Sequence, residues 1–178
     1  MRRGSQKIFA MSRNSAGSSP QRPLDRLDRR ILEVLQTDGR ISFTDLGSRI
    51  GLSTSPCLER VRRLEREGFI RGYRAVLDPR RLGLELLVYV EISLDYTSPD
   101  ILEEFKAAAA LLSQVQECHL VSGDFDYLLK VRIADMAAYR ALLGEILHGL
   151  PGVRDTKSYV VMEEVKESLA VDLPQQLR

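Results

Sequence analysis

The chain has 178 residues, of which 44% are hydrophobic and 29% charged, a composition typical of a globular protein with one large or two small domains. Its two cysteines, Cys57 and Cys118, cannot form a disulfide framework, and no apolar run approaches the length of a membrane span. These features exclude a disulfide-stapled secreted scaffold and a membrane-spanning protein. The cysteine usage points to a reducing compartment, and MRRGSQKIFA is too poor in apolar residues for a secretion signal, so we expect a cytoplasmic protein without a membrane partner.

The formal net charge of +1 conceals a strong asymmetry between the two halves of the chain. Residues 1–81 contain 18 Lys+Arg against 9 Asp+Glu, a net charge of +9. Residues 82–178 contain 8 against 16, a net charge of −8. This asymmetry predicts two domains with different partners, and the basic half is expected to attract a polyanion.

The basic half begins with a tail and continues with three predicted helices. Residues 1–23 combine Gly, Ser, Asn, Pro and Arg without an apolar pattern, which predicts a disordered tail. Residues 24–78 are predicted to form one domain. Its apolar spacing and capping residues predict helices over Asp25–Gln36, Ser42–Gly51 and Ser53–Glu67. Over Phe69–Leu77, β-branched and aromatic residues alternate with arginines, which predicts a short strand or wing.

The acidic half has the pattern of a mixed domain over residues 86–168, between a linker at 79–85 and a C-terminal tail at 169–178. The predicted elements are, in order, strand Leu86–Leu94, helix Pro99–Leu112, strands Glu117–Val121 and Tyr127–Ile133, helix Met136–Leu147 and strand Arg154–Val165. The order β-α-β-β-α-β is typical of a ferredoxin-like domain, in which helices cover one face of an antiparallel sheet. The fold class is therefore α+β, an N-terminal winged helix-turn-helix followed by a ferredoxin-like βαββαβ domain. The uncovered sheet face requires a partner, and a second copy of the chain is the simplest one.

The segment Phe43–Arg62 has the helix, short Gly-containing turn and second helix of a DNA-binding motif. On a helical wheel the third helix has one apolar arc, formed by Cys57, Leu58, Val61 and Leu64. Ser55, Glu59, Arg63 and Arg66 are predicted to project from the opposite side, with Arg60 and Arg62 on its shoulders. Hydroxyls can contact phosphates or bases, and arginines can grip phosphates or bind guanine.

A second interpretation of this helix remains open. Its arginines alternate with Glu59, Glu65 and Glu67, as they would on a solvated helix with i, i+4 ion pairs. The capped preceding helix, the absence of acidic residues around Arg71 and Arg74, and the +9 charge favour DNA binding over this alternative.

Several long motifs resemble those of one family. The segments LDRLDRRILEVLQTDGRIS, GLSTSPCLERVRRLEREGFIRGY, ECHLVSGDFDYLLKVR and LPGVRDTKSYVVMEEVK occur in this order and resemble the Lrp/AsnC family of transcription regulators. The resemblance covers about residues 24–168. It implies a nucleoid-associated regulator that binds double-stranded DNA, responds to an amino acid, and forms homodimers that assemble into octamers or larger particles. Leucine is the expected effector.

The resemblance also implies which residues contact each partner. The candidate DNA-binding residues are Phe43, Thr44, Ser53, Thr54, Ser55, Glu59, Arg60, Arg62, Arg63 and Arg66. The candidate effector-binding residues, around a turn expected at the contact between dimers, are Leu120, Gly123, Asp124, Phe125, Asp126, Met136, Thr156, Tyr159, Val160 and Val161.

The chemistry of the turn at residues 123–126 is compatible with an amino-acid ligand. Asp124 or Asp126 could pair with the ammonium group, and backbone N–H groups near Gly123 suit the carboxylate. The alternative is an ordinary tight turn, since such turns favour Gly and Asp.

Catalysis, a metal and a cofactor are not predicted. Cys118 and His119 are adjacent in a strand and point to opposite faces, and one histidine with two turn carboxylates is a poor metal-ligand set. Two non-enzymatic hypotheses remain beside a sequence-specific regulator. One is an architectural protein that wraps DNA with little selectivity. The other is an amino-acid-binding module that regulates an enzyme, against which the +9 charge argues.

Overall fold

The computed structural model describes residues 23–95 and 98–174. The predicted tail at 1–23 therefore lies outside the described residues except for Pro23. The chain divides into two compact units. The described part of the N-terminal unit comprises residues 23–75 and 169–174, and the C-terminal unit spans residues 76–168.

The N-terminal unit contains the three predicted helices, α1 (Arg26–Thr37), α2 (Phe43–Ile50) and α3 (Thr54–Arg66). Ser42 caps α2 as predicted, since its side chain accepts a hydrogen bond from the Asp45 N–H. Gly51 ends α2 in the left-handed conformation with φ 77°, which a residue with a side chain rarely adopts. The helix-turn-helix is thus confirmed.

Apolar side chains from all three helices meet in one core. Its buried members are Leu24, Ile31, Leu32, Leu46, Ile50, Cys57, Val61 and Leu64. The end of the chain returns to this core, because Leu173 packs against it. The Gln36 side chain fixes the returning segment through two hydrogen bonds to the Val171 backbone: its Nε2 donates to the carbonyl at 3.2 Å, and its Oε1 accepts from the amide at 2.7 Å.

Of the short strand or wing predicted over Phe69–Leu77, the strand is wrong. These residues follow α3 without regular secondary structure. The Ile70 N–H donates to the Leu64 carbonyl and closes the end of α3, and no described strand of the N-terminal unit lies beside the following residues to pair with them. A strand needs a neighbour to satisfy its backbone groups, and alternation in the sequence does not provide one.

The C-terminal unit has the predicted βαββαβ order. Its elements are β1 (Leu86–Leu94), α4 (Pro99–Ala109), β2 (Val115–Leu120), β3 (Tyr127–Ile133), α5 (Met136–Gly149) and β4 (Val153–Val160). The strands form one antiparallel sheet in the order β2-β3-β1-β4. The ferredoxin-like arrangement and the α+β class are confirmed. Among the described residues, no helix is long and apolar enough to cross a membrane.

Helices α4 and α5 cover one face of this sheet. Alternate residues of β1 and β3 are buried there together with Phe105 from α4 and Tyr139, Leu142 and Ile146 from α5. The rings of Phe105 and Tyr127 stack with their centroids 4.3 Å apart.

The opposite face of the sheet carries charged side chains and is crossed by the chain itself. The guanidinium group of Arg132, on β3, donates two hydrogen bonds to Glu164 at 2.9 and 2.6 Å, and its side chain is only 2% exposed. Lys130 pairs with Glu167 at 3.0 Å. The last strand was predicted to reach Val165 but ends at Val160, because the following residues leave the edge of the sheet for these pairs.

The turn between α2 and α3 depends on a glycine. A Cβ atom at Gly47 would lie 2.6 Å from the Leu52 carbonyl oxygen, closer than two such atoms approach in folded proteins. We expect Gly47→Ala to lower the free energy of unfolding by about 1–3 kcal/mol because the turn must open. Urea unfolding of the full chain measures this loss.

Gly144→Ala is the matched control. Gly144 lies within α5, and a Cβ atom there would meet no atom within 4 Å. Alanine should leave stability unchanged or raise it by about 0.5–1 kcal/mol through its higher helix propensity. Equal effects at both positions would contradict the close approach at Gly47.

Candidate nucleic-acid interface and ligand site

One side of α3 is open along its whole length. Ser55, Glu59, Arg62 and Arg66 follow the spacing i, i+4, i+7, i+11 and are all exposed. This set is called the outer surface of α3. It differs from the predicted one in one respect, since Arg62 and not Arg63 belongs to it.

Further predicted residues border the N-terminal end of this surface. The Oγ1 atoms of Thr44, on α2, and Thr54, on α3, lie 3.3 Å apart, so the two helices present their hydroxyls together. Phe43 precedes Thr44 and is 40% exposed. The structure thus brings the beginnings of α2 and α3 to one place.

The beginning of α3 has features that suit an anion. Ser53 occupies the N-cap position as predicted, but in the described structure its side chain makes no capping hydrogen bond, and the first turn contains no acidic residue. The first N–H groups of a helix have no partner within the helix and carry a partial positive charge. The amides and the hydroxyls of Ser53 and Thr54 are therefore available to a phosphate.

Arg60 and Arg63 were predicted to face DNA, but in the structure both side chains point toward α1. Arg60 Nη1 lies 2.6 Å from Asp25 Oδ2 and 2.8 Å from Asp28 Oδ1. Arg63 Nη2 lies 2.5 Å from Asp28 Oδ2, and its side chain is only 14% exposed. Both side chains lie between α1 and α3, because the buried carboxylate of Asp28 requires positive partners.

The predicted site did not include Asp25 and Asp28. Asp25 is the N-cap of α1 and forms a complete capping box with Asp28. Asp28 is fully buried and occupies the same stripe of α1 as Ile31 and Leu32. A carboxylate at the buried stripe of an amphipathic helix was the signal in the sequence that required a cationic partner on another helix.

The contacts of Asp25 with Asp28 and Arg60 also change the pKa of the Asp25 carboxyl. Partial burial alone would raise the pKa of the Asp25 carboxyl, but the hydrogen bond from the Asp28 N–H and the guanidinium group of Arg60 outweigh this effect and lower the pKa to about 2. Asp25 therefore stays ionised in the folded protein even under acidic conditions.

The predicted effector residues form two groups in a single chain. The group at the end of the sheet next to Ile92 and Leu94 comprises Leu120, Gly123, Asp124, Phe125, Asp126 and Thr156. The other group comprises Met136, Val160 and Val161 toward the end next to Leu86 and Leu87, with Tyr159 midway along β1 opposite Tyr89. Leu86 and Ile92 are six residues apart on β1, which corresponds to about 20 Å. The described residues of one chain therefore do not close a single pocket from both groups.

Within the turn, the two aspartates have different environments. Asp126 stabilises the turn, because its Oδ2 accepts from the Leu94 N–H at 2.8 Å and its own N–H donates to the Ile92 carbonyl at 2.9 Å. Asp124 is exposed. Gly123 does not have a positive φ, and a Cβ atom there would meet nothing within 4 Å, so the fold of the chain does not require glycine at this position.

Comparison with known proteins agrees with this architecture. Residues 24–65 match the AsnC-type helix-turn-helix domain, and residues 87–171 match the Lrp/AsnC ligand binding domain. The two units thus define a transcription regulator that joins a helix-turn-helix to a ligand-binding domain. The chain belongs to the Lrp/AsnC family.

Individual relatives are similar over most of their length. The chain is 64% identical to the leucine-responsive regulatory protein of Salmonella typhimurium over 149 residues, which cover 84% of this chain and 91% of that protein. It is 63% identical to the protein of the same name from Escherichia coli K12, with the same coverage.

Solved structures show the same fold. An AsnC family transcriptional regulator from Agrobacterium tumefaciens has a TM-score of 0.80 and 36% identity and covers 84% of this chain and 97% of its own. A transcriptional regulator from Neisseria meningitidis, solved as a complex with L-Met, has a TM-score of 0.80 and 35% identity and covers 84% of this chain and 96% of its own.

The pKa of Asp25 leads to a pH-dependent prediction. Because the pKa is lower in the folded state than the ordinary value of 3.8, the ionised carboxylate stabilises the fold above about pH 4, and this contribution is lost as the pH falls toward 2. Asp25→Asn keeps a capping side chain and removes the charge. Since a third of the side chain is exposed, we expect a loss of only about 1 kcal/mol near neutral pH.

Urea unfolding of both proteins across this pH range measures the effect. The difference in unfolding free energy between wild type and Asp25→Asn should shrink steadily as the solution is acidified below about pH 4. A difference that is independent of pH would show that the charge of Asp25 does not contribute.

Proposed function

We propose that this chain is a sequence-specific, double-stranded-DNA-binding transcription regulator that responds to an amino acid, with leucine as the effector. The observation that carries the proposal is the open outer surface of α3, with Arg62 and Arg66 exposed, in a half-chain of net charge +9. We further propose that it works in the cytoplasm, at the nucleoid, which its membership of a family of DNA-binding regulators supports.

The surface suggests a division of roles on DNA. Ser53, Thr54 and Ser55 meet phosphates or base edges where α3 enters the major groove, with Thr44 and Phe43 alongside from α2. Arg62 and Arg66 bind phosphates or guanine, and Glu59 can accept a hydrogen bond from a cytosine amino group. Arg60 and Arg63 remain in the DNA-binding unit as braces between α1 and α3.

Arg62→Ala and Arg66→Ala test the DNA surface. Each contact with a phosphate contributes about 0.9 to the slope of log affinity against log salt concentration, so each variant that loses one should flatten the slope by about that amount per protomer. Fluorescence anisotropy with a duplex selected from a random pool measures affinity and slope.

Arg140→Ala is the control, because Arg140 is an exposed arginine on α5 in the C-terminal unit. It should leave the slope unchanged. Wild-type protein that ignores duplex DNA in dilute salt would reject the proposal and favour a module that regulates an enzyme. An affinity ratio near one between selected and mixed-sequence duplexes would favour an architectural DNA wrapper.

The two groups of effector residues suggest a site that more than one copy of the chain completes. Leu120, Met136 and Val160 are 53%, 49% and 40% exposed, and such apolar side chains favour burial against another protomer or a ligand. Exposed Asp124 can pair with the ligand ammonium, and the bare backbone at Gly123 allows a carboxylate to approach. Leucine is favoured because the relatives with 63–64% identity are named leucine-responsive.

A ligand that binds between copies links sensing to assembly. If leucine binds one assembly state more tightly than another, it shifts the balance between homodimers and octamers or larger particles. A differential binding free energy of about 1–3 kcal/mol is sufficient. The shift changes how many outer surfaces of α3 face the DNA together, and therefore the overall DNA affinity.

Sedimentation with and without leucine tests this link. We expect leucine to change the mass distribution of the wild-type protein, and Asp124→Asn to weaken the response at least tenfold in leucine concentration because the ammonium loses its ion pair. Asp100→Asn, at an exposed carboxylate in the first turn of α4, should respond like wild type. Identical mass distributions and DNA affinities with and without leucine would remove leucine from the proposal.

A further inference from the structure

One buried carboxylate connects α1 to two arginines of α3. Both Asp28 oxygens are engaged, Oδ1 with Arg60 at 2.8 Å and Oδ2 with Arg63 at 2.5 Å. Oδ2 also accepts a hydrogen bond from the Asp25 N–H at 3.0 Å. Asp28 is fully buried, so its charge depends on these partners and not on water.

Arg60 and Arg63, the two partners of Asp28, differ in how closely a second carboxylate approaches them. Arg60 keeps a second partner in Asp25, at 2.6 Å. The other acid beside Arg63 is Glu67, whose Oε2 lies 3.9 Å from Nη1, at the outer limit of an ion pair. Arg63 therefore depends on Asp28 more than Arg60 does.

This contact divides the arginines of α3 into two pairs. The helix has four arginines, of which Arg62 and Arg66 are exposed, whereas Arg60 and Arg63 are held against α1. We propose that Asp28 is a specificity-determining positioning residue, which keeps Arg60 and Arg63 away from DNA so that α3 presents only Arg62 and Arg66. This inference rests on the proposed DNA-binding function.

The division matters because an arginine contact with phosphate carries no sequence information. A freed guanidinium group binds any duplex, which raises non-specific affinity and makes it more dependent on salt. Specificity is a difference between two binding free energies, so it falls when a freed arginine stabilises mixed-sequence complexes more than the selected complex. Base contacts hold the selected complex in one register, whereas a mixed-sequence complex can shift to place the freed arginine on a phosphate. Asp28 also fixes α3 on α1, and a helix that shifts or rotates would move Ser55 and Arg62 away from their contacts.

Asp28→Asn tests the inference in the full-length protein, because the side chain keeps its size and loses its charge. The probes are a mixed-sequence duplex and a duplex selected from a random pool by the wild-type protein, titrated by fluorescence anisotropy over a series of KCl concentrations. With the mixed-sequence duplex, the salt slope should steepen by about 0.9 per protomer for each arginine released. The affinity ratio between selected and mixed-sequence duplexes should fall about tenfold.

Glu33→Gln is the matched control, since it removes one negative charge from an exposed position of the same helix. It should leave the salt slope and the affinity ratio close to those of wild type. Values for Asp28→Asn equal to those for Glu33→Gln, with wild-type binding intact, would overturn the positioning role and leave the proposed function standing. Failure of the wild type to bind either duplex would overturn both.

A second pair of variants decides the question if Asp28→Asn does not fold. With Asp28 in place, Arg63→Gln should keep the wild-type salt slope, whereas Arg62→Gln should flatten it by about 0.9 per protomer. Equal flattening by both variants would show that Arg63 contacts DNA and would overturn the inference.

Discussion

The arrangement of the N-terminal unit depends on one buried charge, the Asp28 carboxylate, which must be paired. The carboxylate of Asp28 lies inside the apolar contact between α1 and α3, and two arginines of α3 accompany it there. Breaking such a buried pair on one side typically costs about 3–5 kcal/mol, far more than a surface ion pair contributes. The packing of α3 on α1 therefore depends on charge as well as on apolar surface. Together they determine which side chains of α3 stay exposed.

In the C-terminal unit, by contrast, part of the apolar surface is not buried. Its helices cover one face of the sheet, and the chain's own residues after Val160 cross part of the other through the pairs of Arg132 and Lys130. Leu120 and Met136 stay about half exposed at different ends. Exposed apolar side chains of this kind favour burial against another surface, and this preference is the basis of the proposed ligand site.

Most of the secondary structure was predictable, because periodicity and caps are local. Strands β1 and β3 have the predicted limits, and Gly51 ends α2 as expected. The errors arose where distant residues decide the outcome. A helical wheel places Arg63 on the outer side of α3 from its angle alone. Only the position of Asp28 on α1 shows that Arg63 faces inward. The strand predicted at 69–77 does not form because no neighbouring strand is described beside it. Strand β4 ends before its predicted limit because Glu164 leaves the sheet edge to pair with Arg132.

The return of the chain's end to the N-terminal unit bears on how the protein can be dissected. Leu173 completes a core built by residues from the beginning of the chain, and Gln36 holds Val171 through its amide. A fragment that stops at Ala75 would lack this cover, so Leu32 and Phe69, which line the same cavity as Leu173, would become more exposed. Excised DNA-binding fragments would therefore be less stable than the same unit in the intact chain.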